Sequence, residues 1–319
     1  MTQPYFSVII PTRARPERLA TCLEALSNLE YPRDRFEVIV VDDGSDIPPH
    51  DVVQRFFARL DVALLTQPHA GPATARNTAA AQARGEVLAF TDDDCAPASD
   101  WLTHLASRFA QDKDLAVGGR TINALPNDPY AAASQLIMDV VYAYYNADGG
   151  AARFVASNNV AFPKDGFHAV GGFDSSFSLA AEDRDLCDRW VQHGFRIVYA
   201  PEVIVRHAHR MGLRGYSRQH FSYGRGAFRF QRARVNRGSG NLVKELGFYR
   251  SLPGLVRRSV AQTHGPKSVL PIALLAVWQV ANAAGFFWEW GAQTSRRYVT
   301  DLRSKPRMRN LPVETDRPE

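Results

Sequence analysis

Val87-Leu88-Ala89-Phe90-Thr91-Asp92-Asp93-Asp94-Cys95 runs four apolar residues directly into three adjacent carboxylates. A buried strand of a parallel sheet is a continuous apolar run, and ligands bind outside the carboxyl ends of such strands. Three carboxylates at that edge repel one another unless something positive sits between them. Alternate strand residues point the same way, so Asp92 and Asp94 share a face if the extended conformation persists. That arrangement is a D-x-D pincer for a hard divalent cation such as Mg²⁺ or Mn²⁺. Taken by itself the run is first of all a solvated acidic turn; the rest of the chain decides.

The 319 residues are enough for a full α/β core with a smaller second unit. Hydrophobic and charged fractions of 45% and 22% exclude a disordered chain. Cys22, Cys95 and Cys187 lie far apart, which excludes a disulfide framework and a C-x-x-C zinc site and fits a reducing compartment. The opening Met1-Thr2-Gln3-Pro4-Tyr5 has neither a basic start nor a long apolar segment, so no signal peptide is expected. Residues 1–205 carry 17 Lys/Arg against 27 Asp/Glu, whereas residues 206–310 carry 20 against 3. Such a split points to an anionic partner for the C-terminal part.

In chain order, Tyr5–Ile10 is a strand ended by Pro11-Thr12, and Leu19, Leu23 and Leu26 give a helix over 16–28. Phe36–Val41 is a second buried strand entering Asp42-Asp43-Gly44-Ser45. A helix over 50–60, a short strand at 62–65 and an alanine-rich helix over 72–84 follow, with Gly85 expected as a helix C-cap. Alternation of this kind predicts an α/β fold with a mostly parallel sheet and helices on both faces. Further on, residues 130–146 form a buried or acceptor-facing helix, and Ser157–Phe162 a short strand. Glu182–His193 is a helix with Leu186/Trp190 and Cys187/Val191 on its apolar face, and two short strands flank Pro201.

The order of motifs resembles the family 2 glycosyltransferases over residues 5–225. The resemblance rests on Ser7-Val8-Ile9-Ile10-Pro11-Thr12, Val41-Asp42-Asp43-Gly44-Ser45 and Gly71-Pro72-Ala73-Thr74-Ala75-Arg76-Asn77. Phe90-Thr91-Asp92-Asp93-Asp94, Gly171-Gly172-Phe173-Asp174 and Ala181-Glu182-Asp183-Arg184-Asp185-Leu186 complete it. Each motif alone is weak; six in the right order are specific. It implies a GT-A fold and inverting transfer of a sugar from a nucleotide diphosphate donor to an acceptor hydroxyl. The Q-x-x-R-W motif of processive members is absent, which favours single addition.

Several roles follow from the resemblance. Asp43 accepts a hydrogen bond from the donor's base, in a pocket walled by Pro11, Thr12 and Arg13; the plainer reading of Asp43 is a turn-forming residue before Gly44. Arg76 and Asn77 brace the donor site, with Arg76 able to neutralise the acids when metal is absent. Asp92 and Asp94 serve Mn²⁺ or Mg²⁺, Asp92 also contacting donor, and His207 is the expected third metal ligand, with His209 a competitor. Asp183, beside Glu182 at a helix start, is the expected general base, held anionic by the helix dipole; the alternative is a helix cap shared with Glu182.

Arg206, Arg210, Arg214 and Arg218 recur every four residues and would line one helical face, with Arg225, Arg229, Arg232, Arg234 and Arg237 beyond. One or two would hold the leaving diphosphate; the others are expected to meet anionic lipid. Residues 268–288 carry no charge and are long enough to span a bilayer, but the first expectation is a helix on or partly in the membrane surface, the second a packed helical hairpin and the third a true span. The expected organisation is a catalytic GT-A unit over 1–210, a basic helical extension over 211–302 and a disordered tail over 303–319. Donors considered are UDP-, GDP- and dTDP-sugars, with a glycan or lipid-linked acceptor at the cytoplasmic face of the membrane. The rival reading is a non-catalytic protein that binds membrane or nucleic acid through its arginines. A base and a metal pincer together argue against it, and nucleic acid is not an expected partner.

Overall fold

The computed structural model describes residues 3–178, 180–240, 242–262 and 269–304. Its eight strands are β1 (Phe6–Thr12), β2 (Phe36–Asp43), β3 (Val62–Gln67), β4 (Val87–Thr91), β5 (Cys95–Pro97), β6 (Leu115–Asn123), β7 (Asn159–Pro163) and β8 (Arg196–His207). They form one sheet in the order β3-β2-β1-β4-β7-β6-β8-β5. The first four are parallel, β7 runs against β4 and β6, and β5 runs against β8. The sheet is therefore mostly parallel, with two reversed strands whose direction the apolar pattern did not reveal.

Alternate residues of β1, β2 and β4 feed two cores. Phe6, Val8, Ile10, Val38, Val40 and Ala89 face one side, against Leu19, Leu23 and Leu26 of α1 (Pro16–Ser27). Val52 and Val53 of α2 (His50–Gln54) join them there. Ile9, Ile39, Val41, Leu88 and Phe90 face the other, against alanines of α3 (Pro72–Gln82). The first core is closed by Trp101, Leu102 and Leu105 of α4 (Trp101–Gln111). The second takes Leu136, Ile137 and Val140 of α5 (Pro129–Tyr145), Phe167 of α6 (Lys164–Ala169), and Leu186 and Trp190 of α7 (Glu182–Gln192). Each such side chain, fully buried, stabilises the fold by about 1.5–3 kcal/mol relative to exposure.

Four expectations change. The helix expected over 50–60 stops at Gln54 and continues as turns. Gly85 caps nothing: a Cβ there would stand 2.4 Å from the Ser7 backbone nitrogen, so glycine is required by the close approach of α3's exit to β1. The two strands around Pro201 are one strand, β8, whose register with β6 shifts between Gly119 and Arg120, a bulge that accommodates a proline. Val191, expected on the apolar face of α7, is exposed, whereas Leu186, Cys187 and Trp190 are buried.

The C-terminal part is helical: α8 (Leu213–Asn236), α9 (Leu242–Gln262) and α10 (Val269–Ser304). Phe248 of α9 and Leu274, Leu275 and Trp278 of α10 enter the same core as α5, so the extension shares an interior with the sheet and its helices. Where α8 and α10 cross, Cβ atoms on Gly224 and Gly285 would collide with the carbonyls of Asn282 and Phe221, at 1.9 and 2.0 Å. The four-residue arginine face does not form: Arg206 lies in β8, Arg210 in the following loop, and only Arg214 and Arg218 are helical.

Five of the arginines expected to meet lipid pair within the protein, whereas Arg206, Arg210, Arg214 and Arg218 are exposed. Arg225 and Arg229 hold Glu289 of α10 at 2.8 and 2.7 Å, and Arg232 bonds Gln293. Arg237 holds Asp185 and Asp188 of α7 at 2.7 and 2.9 Å, and Arg234 reaches Asp188 at 3.1 Å. Conversely, α10 places its one charge between residues 270 and 294, Glu289, inside, and leaves Ile272, Val280, Phe287, Trp288 and Trp290 exposed. Residues Leu270–Thr294 are long and apolar enough to cross a membrane, with only 22% of the most apolar window buried. The tail expected to be disordered lies, from residue 305, outside the described residues.

Candidate active site

Strand register assembles the site. Ile9 of β1 stands opposite Phe90 of β4, so three residues on Thr12 meets Asp93, and its hydroxyl donates to that carboxylate at 2.8 Å. Arg15 stands 3.3 Å from the other Asp93 oxygen. Burial first, with the charges of Asp94 and Asp92 behind it, pushes Asp93 up to about 6 against these donors. Asp94 takes Arg18 on one oxygen, at 3.0 Å, and His207 on the other, at 3.1 Å. Burial works against its charge, but the His207 bond and charge prevail and hold Asp94 at about 2. Asp92, 31% exposed where Asp93 and Asp94 are at 3% and 9%, is the open member of the triad.

Arg76 joins this edge to α7. Buried on α3, it donates to Asp92 at 2.7 Å and to Glu182 at 3.2 Å, with its guanidinium 5.4 Å from the Phe173 ring centre. Its neighbour Asn77 exchanges two bonds with the Phe173 backbone, at 2.7 and 2.9 Å, fixing the Gly171–Asp174 turn on α3. Ala181 enters α7 at φ +76°, a strained conformation for a residue with a side chain. Two residues on, Asp183 accepts one bond, from the Arg184 backbone at 2.8 Å. Burial, then the Glu182 charge, push Asp183 up to about 7. The helix-dipole expectation of a stabilised anion fails here because desolvation outweighs the partial charge of one helix end. A carboxylate poised near 7 suits a general base better than an ordinary one.

Asp43 does not stand ready for a base. One of its oxygens accepts from Gln67 and the Ala70 amide, both at 2.8 Å; the other meets His69 at 2.7 Å and the Gly71 amide at 2.9 Å. A carboxylate offers about four lone-pair sites, and all are taken. Asp43 thus ties the His69–Gly71 segment, and with it the start of α3, to the end of β2. Arg13, exposed, reaches the carbonyl of the next residue, Gly44, at 3.4 Å, and Pro11 pairs with Val41 two residues before Asp43.

Ligand atoms of Asp94, His207 and Cys95 lie within 4.8 Å of one another. The Asp94 oxygens and the His207 imidazole are donors that suit Mn²⁺ or Mg²⁺. The Cys95 thiol does not add to them, because burial first and the charges of Asp92 and Asp94 push it well above its usual range. His209, stacked on His207 at 4.7 Å between ring centres, is pushed down to about 4 by burial and then by His207.

The profile of Glycosyl transferase family 2 matches residues 7–171. The chain belongs to this family. Glycosyltransferase AglE of Haloferax volcanii is 30% identical over 220 residues, 66% of this chain and 68% of its own. The pre-mycofactocin glycosyltransferase of Mycobacterium tuberculosis is 32% identical over 225 residues, of which the matched part is 46% of that protein. Among solved structures, the mannosyltransferase PcManGT from Pyrobaculum calidifontis, in complex with GDP-Man and Mn²⁺, superposes with a TM-score of 0.63 at 22% identity. It covers 96% of this chain and 89% of its own, and establishes the fold as GT-A. The chain is a glycosyltransferase.

In this glycosyltransferase Thr12, Arg76, Asp92, Asp94, Glu182, Asp183 and His207 form one connected or neighbouring set. Arg15 and Arg18 went unassigned in the sequence, although two cations three apart just past a strand that ends at the site are the expected counter-charges for a carboxylate triad. Tyr223 of α8, partly exposed, lies near the acids of this set. Gln219 donates to its hydroxyl at 2.7 Å, and desolvation first, then Asp183, Glu182 and Asp92, disfavour its phenolate. No sequence signal marks it, since contact across α7 and α8 depends on packing alone.

Proposed function

We propose that the protein transfers a sugar, with inversion, from a nucleotide diphosphate donor to an acceptor hydroxyl, using Asp183 as the general base. The carrying observation is the Arg76 bridge, which links Asp92 at the open sheet edge to Glu182 beside a base poised near pH 7. The GDP-Man and Mn²⁺ held by the archaeal mannosyltransferase support a nucleotide-sugar donor and a divalent ion. Asp94 and His207, with Asp92, would hold Mn²⁺ or Mg²⁺. That ion would bind the donor diphosphate and offset the charge on the leaving group.

The remaining work belongs to side chains. Asp183 takes the proton of the acceptor hydroxyl as that oxygen bonds to the anomeric carbon, while the bond from this carbon to the phosphate oxygen breaks. The diphosphate leaves with the bonding pair. Arg76 holds Asp92 and Glu182 in place and offsets their charge, so that Asp183 is not driven further from ionisation. Pro11, Thr12 and Arg13 wall the nucleotide pocket, and Asp43 shapes it through the His69–Gly71 segment. The outward apolar face of α10 supports a lipid-linked or envelope-glycan acceptor reached at the cytoplasmic membrane face.

Turnover and calorimetry with UDP-, GDP- and dTDP-sugars, each with Mn²⁺ and with EDTA, test this reading. One donor should bind and turn over only with metal. Turnover unchanged in EDTA would remove the metal from the account, and no binding by any donor would remove the nucleotide sugar.

A further inference from the structure

Each acid of the triad has a nearest cation, Arg76 for Asp92, Arg15 for Asp93 and Arg18 for Asp94, and Arg15 also stands 3.8 Å from the Asp94 oxygen that Arg18 holds. The three cations differ in freedom. The Arg76 side chain is 4% exposed and held between two carboxylates, whereas that of Arg18 is 35% exposed and bonds through one nitrogen. Asp94 is also the acid best placed for metal, because its other oxygen already faces His207. A divalent ion on Asp94 and a guanidinium on the same carboxylate repel each other, so one must yield. Arg18, in the first turn of α1, is the guanidinium nearest Asp94, at 3.0 Å against 3.8 Å for Arg15, and its partly exposed side chain leaves it able to move. A donor diphosphate would give the departing guanidinium a destination, since arginine pairs with phosphate as readily as with carboxylate.

We propose that Arg18 stands in for the metal: it neutralises Asp94 in the metal-free protein, yields that carboxylate to the ion, and passes to the donor diphosphate. The proposal rests on the metal reading above. It makes metal and donor binding cooperative, because the ion alone must displace an arginine that the diphosphate would otherwise receive.

Calorimetry of the full chain with MnCl₂ alone, and then with UDP, GDP or dTDP present, tests it in wild type and Arg18→Gln. The variant should bind Mn²⁺ alone about fivefold more tightly, the worth of a half-exposed ion pair removed. It should bind its nucleoside diphosphate in the presence of Mn²⁺ about fivefold more weakly. Arg18→Lys, which keeps the charge, should stay near wild type in the first measurement, and matched melting curves check that all three are folded. Equal or weaker Mn²⁺ binding by Arg18→Gln would overturn the exchange. Absence of Mn²⁺ binding in every protein, with or without nucleotide, would instead overturn the metal reading on which it stands.

Discussion

Arginine meets carboxylate at both ends of this molecule, under different conditions. At the sheet edge, Arg15 and Arg18 approach Asp93 and Asp94 with half or a third of their own side chains exposed. Between α8 and α10, Arg225 and Arg229, with about a quarter of their side chains exposed, close on the two oxygens of Glu289. The first arrangement is open to exchange with an incoming ion or phosphate. The second is a permanent bolt: it fixes α10 by the one charge between residues 270 and 294 and leaves an uncharged stripe outside. Ion pairing alone therefore identifies neither a site nor a scaffold; the exposure of the partners separates them.

Three substitutions would break or sharpen that contrast. Asp94→Ala should lower metal-dependent donor turnover by ~10³–10⁴-fold, several kcal/mol of leaving-group stabilisation, with little change in melting temperature. A large loss of stability would instead make Asp94 a scaffold residue like Glu289. Replacing Arg225 and Arg229 together by Met leaves a buried, unpaired Glu289 and should cost about 3 kcal/mol of stability, seen as a lower melting temperature with donor affinity unchanged. If the melting temperature holds, the bolt is ornamental and the comparison fails. Replacing Trp288 and Trp290 together by Ser removes two exposed aromatics from the outer stripe, and should weaken binding to anionic vesicles about tenfold at high salt. If wild type ignores vesicles at any salt, the stripe meets another surface than lipid.

The catalytic half was legible because its signals are local. Apolar runs that end in acids mark strands and their functional ends, and β1, β2 and β4 stand where those runs predict. Asp43 was less legible, since three of its four donors come from His69, Ala70 and Gly71, more than twenty residues on. The dipole argument for Asp183 gave the wrong direction of shift, because burial is a property of packing and the dipole a property of sequence. The α8 arginines were assigned to lipid because their partners are remote: Glu289 lies 64 residues past Arg225, alone in an apolar run. Pro201 suggested a break where the sheet inserts a bulge.

The pH profile of sugar transfer, measured in wild type and in Asp183→Asn beside donor affinity, tests the central claim most directly. A base works only when ionised, and Asp183 is held near 7. Wild-type kcat/KM should therefore climb about tenfold per pH unit up to about 7 and then level off. Asp183→Asn should transfer ~10²–10⁴-fold more slowly, lose that acid limb and keep its donor affinity. Near-normal transfer by the variant, or an acid limb unchanged by the substitution, would make Asp183 a helix cap and put the base elsewhere.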